Sequence, residues 1–487
     1  MNLDEITRET MLSVQKAQQS SWNAELGAIG IDLNPIVSLI PAYTPLLDIL
    51  SRTMQKNGAK VTQWKALLNV TNAQPDLAVG WDFPGNLGVV DEQDVYAPVV
   101  PLRLGGQVTE DAIYVAKNYA DAKALSLMNT LLMFKILEDR KLATASQAYA
   151  LPAIGTPTVT ISTTGGTIPA TTAVPIKVQA RSGRNYFFGG SGIASAQGTA
   201  TTASGSTSSA VGFVAAVKGA VAYDWFVNGF YYTTTTVNTV TVTSIPVANQ
   251  PLPTYELPDL FGTAPTVAAT VDTSYTANDF NSVLASVLGD YSTGGPIVTP
   301  GTGTSSGAYW ASADGAAFTV NGSNIPLIDK LLLGIYNAVK LSPTALMMNA
   351  QQANDLSQAV TGTNLAVTFL QPDDPVGRAN ISAGGYVGTY LNKAKAGERV
   401  RIESHPGVPP GTIIARSDSV PFPNSNIGTV FEVRCLEQYR QYQYGAARIA
   451  NTLNGGPRDD YEVFNIEALV CKAPVSCGVI SNIAASE

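Results

Sequence analysis

The sequence predicts an α+β protein. Residues 109–143 carry a long helical pattern, residues 155–250 a series of short alternating strands, and the last third a second set of longer strands. Helix-period and strand-period runs that occupy separate stretches, rather than alternating, give segregated helices and mixed or antiparallel sheets.

Composition narrows the class. A chain of 487 residues can hold two to four domains and a sizeable core. Hydrophobic residues make up 45% and charged residues 14%, well below the usual quarter for charge, which fits a tightly packed, β-rich protein rather than a disordered one. The net charge of −8 offers no basic surface for neutralising phosphates, so any nucleic acid would be enclosed rather than gripped. The start, MNLDEITRET, is acidic and polar where a secretory leader needs a cationic start and an apolar run. No apolar run approaches the ~18–20 residues of a membrane helix. Cys435, Cys471 and Cys477 are odd in number and lack metal-ligand spacing, as expected of reduced, buried thiols in a cytosolic fold.

Residues 1–55 read as an N-terminal arm, with Leu3, Ile6, Met11, Val14 and Ala17 on a short amphipathic helix. Residues 56–108 read as a long β-hairpin. Its strands, AKVTQWKALLNV and QDVYAPVVPLRL, flank the Gly/Pro-rich DLAVGWDFPGNLGVV. Arms of roughly 15–18 extended residues would reach about 50–60 Å. A two-stranded ribbon is marginal in water, and this one would expose Trp64, Leu67, Leu68, Trp81 and Phe83, so it needs a surface to lie on.

Residues 109–143 predict one helix of about 50 Å at ~1.5 Å per residue. Thr109 suits the N-cap, Glu110 and Asp111 the first turn, and Arg140 and Lys141 the last. Val115, Tyr119, Ala122, Ser126, Asn129, Met133 and Ile136 make a continuous face, and from Ala124 to Leu137 the helix is apolar almost all round, which predicts burial on several sides.

The stretch 150–260 reads as an all-β sandwich inserted into a host fold, with strands at TVTIS, PIKVQA, SSAVGFVAAVKG, AVAYDWFVNG, FYYTTTT and VNTVTVTSI. Trp225 is its candidate core residue, in the place of the core Trp of an immunoglobulin-like sandwich, though without a Cys pair. Residues 190–209 read as a flexible loop, and no Lys or Arg occurs between Lys218 and Lys330. Beyond it come helices near Ala277–Leu288, Pro326–Lys340 and Ala350–Val360, a Gly/Thr-rich hairpin including GAYWASADGAAFTV, and strands at TALMMN, GERVRIES, TIIARS, GTVFEVRCLEQYRQYQYGAAR and YEVFNIEALVCKAP.

Catalytic chemistry finds little material. His405 is the single histidine and sits in a Pro/Gly turn, SHPGVPPGT, so a His-based triad or a His-rich zinc site has no partners. No phosphate-loop pattern occurs, and GGYVGTY lacks the lysine. The acid pairs Asp373–Asp374 and Asp459–Asp460 lie in Pro- or Gly-bounded loops without a calcium-loop pattern. Solvated turns or ion pairs between copies fit them better. The expectation is a protein that is not an enzyme, with no catalytic, cofactor-binding or metal-binding residue.

Three pieces in order, PTALMMN (343–349), HPGVPPGTIIA (405–415) and YEVFNIEALVCKAP (461–474), placed after the hairpin and the long helix, resemble the major capsid protein of tailed bacteriophages, the Hong Kong 97-type fold. The resemblance implies an arm (1–55), an extended loop (56–108), a spine helix of the peripheral domain (109–145), a peripheral/axial segment (261–341), an axial domain (342–425) and returning peripheral strands (426–487), with 150–260 as the insertion. It implies self-assembly into hexamers and pentamers of an icosahedral shell around double-stranded DNA, in a virion built in the host cytoplasm, with portal, scaffolding and decoration proteins as further partners and the insertion on the outer surface. Its candidate contacts between copies are Trp64, Leu67, Leu68, Trp81, Phe83, Arg103, Asp373, Asp374, Arg378, Asp459 and Asp460. No lysine lies between Lys65 and Lys117, so the lysine crosslink of some relatives has no donor at the hairpin tip. With the hairpin starting about 60 residues in, any scaffold is expected to be a separate or removed piece. The alternative reading, suggested by residues 155–250, is a surface β-sandwich adhesin or layer protein.

Overall fold

The computed structural model describes residues 43–55, 58–69, 91–116, 121–203, 208–254, 257, 259–289, 291, 308–319, 325–362, 387–420, 427–446 and 458–485. Expectations for residues 1–42, for Trp81 and Phe83, and for Asp373, Asp374 and Arg378 lie outside them. Among the described residues the chain forms α1 (Pro45–Ile49), β1 (Ser51–Met54), β2 (Val61–Asn69), β3 (Asp91–Pro98), β4 (Val100–Thr109), α2 (Glu110–Ala116) and α3 (Ala122–Thr144). The sandwich region holds β5 (Thr158–Ser162), β6 (Ala173–Ser182), α4 (Gly183–Phe188), β7 (Gly198–Thr201), β8 (Ser209–Phe213), β9 (Ala220–Val227), β10 (Phe230–Thr235) and β11 (Thr239–Val242). The remainder comprises α5 (Val283–Leu288), β12 (Tyr309–Ser312), α6 (Pro326–Val339), β13 (Ala345–Met348), α7 (Ala350–Gly362), β14 (Thr389–Asn392), β15 (Glu398–Ser404), β16 (Ile413–Arg416), β17 (Phe431–Ala446), β18 (Arg458–Cys471) and β19 (Gly478–Ser481). Helices combine with antiparallel and mixed sheets, so the fold is α+β. The chain divides into two compact units: 1–60, 99–139 and 433–468; and 61–98, 140–432 and 469–487.

The first unit is a helix on a sheet of order β1-β17-β18-β4. β18 runs antiparallel to β4 from Arg458↔Thr109 to Glu467↔Val100. Strand alternation turns Asp459, Tyr461, Val463, Asn465 and Glu467 to the helix side. There the Tyr461 hydroxyl meets Ser126 Oγ at 2.6 Å and Thr130 Oγ1 at 2.9 Å, and Phe134 packs edge-on to Tyr439 with ring centroids 5.9 Å apart. Gly106 is required here, because a methyl at that position would overlap the Tyr461 ring.

The single helix expected over 109–143 is divided. Thr109 does cap α2, its Oγ1 accepting from Ala112 N at 3.4 Å. Asp121 then caps α3 afresh, Oδ1 accepting from Lys123 N at 3.0 Å and Ala124 N at 3.1 Å. An aspartate side chain that satisfies first-turn amides starts a helix rather than continuing one. The expected burial on several sides is also corrected. Between Ala124 and Leu137 only Ser126 and Phe134 are buried; Leu131, Leu132, Met133, Ile136 and Leu137 are half-buried and Met128 is 58% exposed.

In the second unit a six-stranded sheet runs β12-β19-β16-β13-β15-β14, with β12/β19 and β13/β15 parallel and the other pairs antiparallel. The amphipathic α6 buries Ile328, Leu331, Leu332, Ile335 and Val339. A Cβ on Gly478 would lie 2.8 Å from Leu331 Cδ1, so the missing side chain lets helix and strand close up. Of the Gly/Thr-rich hairpin expected to include residues 307–320, the described residues show strand β12, which pairs in parallel with β19; the residues on either side of 308–319 lie outside the described ones.

Residues 158–242 form two antiparallel sheets, β10-β9-β6-β7 and β11-β8-β5. They pack on each other across Gly212, whose missing Cβ would touch Ile176, Trp225 and Val240. Residues 198–201, inside the expected loop, form edge strand β7, paired Ala173↔Thr201 to Ile176↔Gly198 with β6. The strand order departs from the immunoglobulin arrangement. In this block the first, fourth and seventh strands share a sheet, whereas the immunoglobulin order puts the third, sixth and seventh together. Trp225 therefore lies on the fifth strand, not the third.

Candidate functional site

The hairpin strands β2 and β3 pair from Val61↔Pro98 to Asn69↔Asp91. Trp64, Ala66, Leu68, Val95 and Ala97 pack with Tyr291 and Val470. Trp64 Nε1 donates to Cys471 O at 2.8 Å, and Leu67 N to Lys472 O at 2.8 Å. The expectation that Trp64, Leu67 and Leu68 stand exposed is corrected: all three are buried within the second unit. Alternation and apolar content identified a ribbon needing a surface; that the chain's own residues 470–472 supply it at the base was not visible locally.

Of the other candidate contact residues, Arg103 is 61% exposed at its side chain and pairs with Glu462 Oε1 at 3.4 Å. Its guanidinium lies 6.0 Å from the centroid of the Phe464 ring, which stacks on Tyr442 at 4.8 Å, which in turn carries Arg440 at 5.5 Å. This ladder occupies the sheet face away from α3. Asp459 receives Lys123 Nζ at 2.5 Å and Gln443 Nε2 at 3.1 Å. The Lys123 hydrogen bond holds its carboxyl below the usual range. Asp460 pairs with Arg458 at 3.2 Å. So Asp459 and Asp460 are in ion pairs within the chain, on strand β18 rather than in the loop expected.

Trp225 is fully buried, Nε1 donating to Thr235 Oγ1 at 2.8 Å. Beside it lies a buried ion pair the sequence did not announce. Asp224 takes Arg181 Nε at 2.8 Å, Gln179 Nε2 at 2.9 Å and Thr234 Oγ1 at 2.6 Å. A second such cluster, in the first unit, joins Arg52 to Glu138 and Glu467. Its members are up to 415 residues apart, so no local motif carries it.

His405 is buried, its Nδ1 accepting from Gly407 N at 2.9 Å, which closes the turn. Burial pushes the Cys435 and Cys477 thiols up to about 11 each, with Glu467 adding to the shift at Cys435. They are protonated and unreactive at neutral pH. Among the described residues no group of three or more His, Cys, Asp or Glu is placed to hold a metal ion, and no helix is long and apolar enough to cross a membrane.

What remains open is apolar surface. In the first unit Met128 of α3 and Tyr114 (70%) and Val115 (48%) of α2 are exposed, and Leu131, Leu132 and Leu137 of α3 are half-buried. Non-polar side chains left open along α2 and α3 leave area for another surface.

No family model and no curated protein matches this sequence. Solved structures do. The capsid protein of cyanophage A-1(L) is 10% identical, covering 92% of this chain and 95% of its own, with a TM-score of 0.44. The chain is similar to shell proteins. The capsid protein of cyanophage Pam1 is 9% identical, covering 94% of this chain and 96% of its own, TM-score 0.40. The SrpI encapsulin of Synechococcus elongatus PCC 7942 is 10% identical, covering 93% and 91%, TM-score 0.37.

Proposed function

We propose that this protein is the major capsid protein of a tailed double-stranded DNA phage and that copies of it assemble into hexamers and pentamers of an icosahedral shell. The observation that carries the reading is α3. A helix apolar almost all round along Ala124–Leu137, yet mostly half-open in the single chain, is built to be finished by other copies. Heterologous contacts of this kind close into rings and shells, and obligate interfaces of this type bury roughly 2,000 Å² or more. The acidic balance supports a container for DNA, not a sequence reader. Portal, scaffolding and decoration proteins are the partners this role implies, and the hydroxyl-rich block 150–260 is read as the outward-facing part.

Met128→Asp tests the reading. It puts a charge on the exposed large apolar side chain of α3. In size-exclusion chromatography the wild-type chain should elute as rings or larger, and the variant should shift to subunits with an unchanged melting curve. A wild-type chain that elutes as a monomer, or a variant that assembles normally, would count against a shell built through this helix.

A further inference from the structure

One cation serves two buried carboxylates in the first unit. Arg52, on β1, pairs with Glu138 of α3 and, at 3.2 Å, with Glu467 of β18; both glutamate side chains are 0% exposed. Asn465 Nδ2 donates to both, at 3.0 Å to Glu138 Oε1 and 2.8 Å to Glu467 Oε2. Tyr439 Oη donates to Glu138 Oε2 at 2.6 Å, so Glu138 has three donors. Glu467 Oε1, in contrast, is buried with no hydrogen-bond partner.

The other charged or titratable groups around the pair do not balance it. From β17 come Tyr439 and Cys435, whose Sγ lies 3.8 Å from Arg52 Nη1. On α3, Lys135 sits over the Tyr439 ring at 5.7 Å and Asp139 accepts from Leu47 N at 2.9 Å. β4 places Val100 opposite Glu467 and contributes no charge. Two carboxylates and one guanidinium leave a net negative charge, and with both carboxylates fully buried an uncompensated charge is costly. A proton on Glu467 removes it and gives Oε1 a hydrogen to place between the two carboxyls.

We propose that Glu467 is kept as a neutral acid at neutral pH and that this proton latches α1 and β1 onto the first unit, so that rising pH releases them. β1 is a four-residue edge strand with only Arg52 half-buried, held further by Gln55 N to Cys435 O at 2.8 Å. It is the least anchored element covering the pair, and its departure lets water reach both carboxyls. Burial, and then the Glu138 charge, push the Glu467 carboxyl well above its ordinary range in the closed state; in the opened state it returns to about 4.3. The closed form thus binds the proton more tightly. Latch stability is full below the ordinary carboxyl range and falls, tenfold per pH unit in the opening constant, until the closed-state proton is also lost. The inference needs no shell and stands or falls apart from the capsid reading.

Tryptic cleavage after Arg52, followed by mass spectrometry on the full-length chain, reads the opening. The ratio of wild-type to Glu467→Gln rates cancels the protease's own pH dependence, because the amide imitates the protonated acid. The ratio should climb with pH above the ordinary carboxyl range, by as much as tenfold per unit until the closed-state proton is lost, while Glu437→Gln on the exposed part of β17 should match the wild type. A ratio that stays flat would overturn the proposal. Should Glu467→Gln fail to fold, isotope-edited infrared spectroscopy of glutamate-labelled wild type decides. A protonated-carboxyl band at neutral pH is required, and its absence rejects the latch.

Discussion

Arg52→Met would strand Glu138 and Glu467 without their cation, and breaking a buried ion pair from one side costs about 3–5 kcal/mol; chemical denaturation should show that loss. Asp224→Ala does the same to Arg181, whose guanidinium is 4% exposed, with a similar expected loss of about 3–5 kcal/mol in the second unit. Gly106→Ala should cost about 1–3 kcal/mol as an overpacked contact with Tyr461, read as a lower melting midpoint. Asp459 titrates below its usual range because of Lys123. Its contribution is present above the unfolded-state value and disappears as pH falls through the folded one. Lys123→Met should therefore raise the Asp459 titration midpoint by NMR, with little change in stability because the pair is partly exposed. Little of this was legible in sequence. Glu467 stands in FNIEALVC as one acid among mostly apolar residues, a hint of a buried charge, but Arg52 and Glu138 are brought to it only by the fold.

Elements were easier to read than contacts. Strands β5, β6, β8, β9, β10 and β11 fall where β-branched alternation and turn residues place them, and α6 follows from Pro at its start and a clean apolar face. The failures have local causes. Asp121 restarts the long helix because its carboxylate competes for backbone amides. β7, GTAT, hid in a Gly/Ser/Ala/Thr run with no bulky residue to mark a face. The hairpin base was misread as exposed because its cover, Tyr291 and Val470, is distant in sequence. Trp64→Ala should remove that anchor at a cost of about 3–5 kcal/mol, and the hairpin strands should become accessible to limited proteolysis well below the global unfolding transition.

At the scale of the molecule, the α+β class rests on helices combined with antiparallel and mixed sheets, and both compact units keep a buried core without exhausting the apolar surface that the sequence supplies. The half-open face of α3 is the place where single-chain folding and the sequence disagree about burial; the proposed self-association would cover it. A surface adhesin would leave that face unexplained. The most direct measurement is negative-stain electron microscopy of the chain expressed alone and with its neighbouring genes. Hexamers, pentamers, tubes or closed shells are the predicted result; a monodisperse monomer under both conditions would contradict the shell.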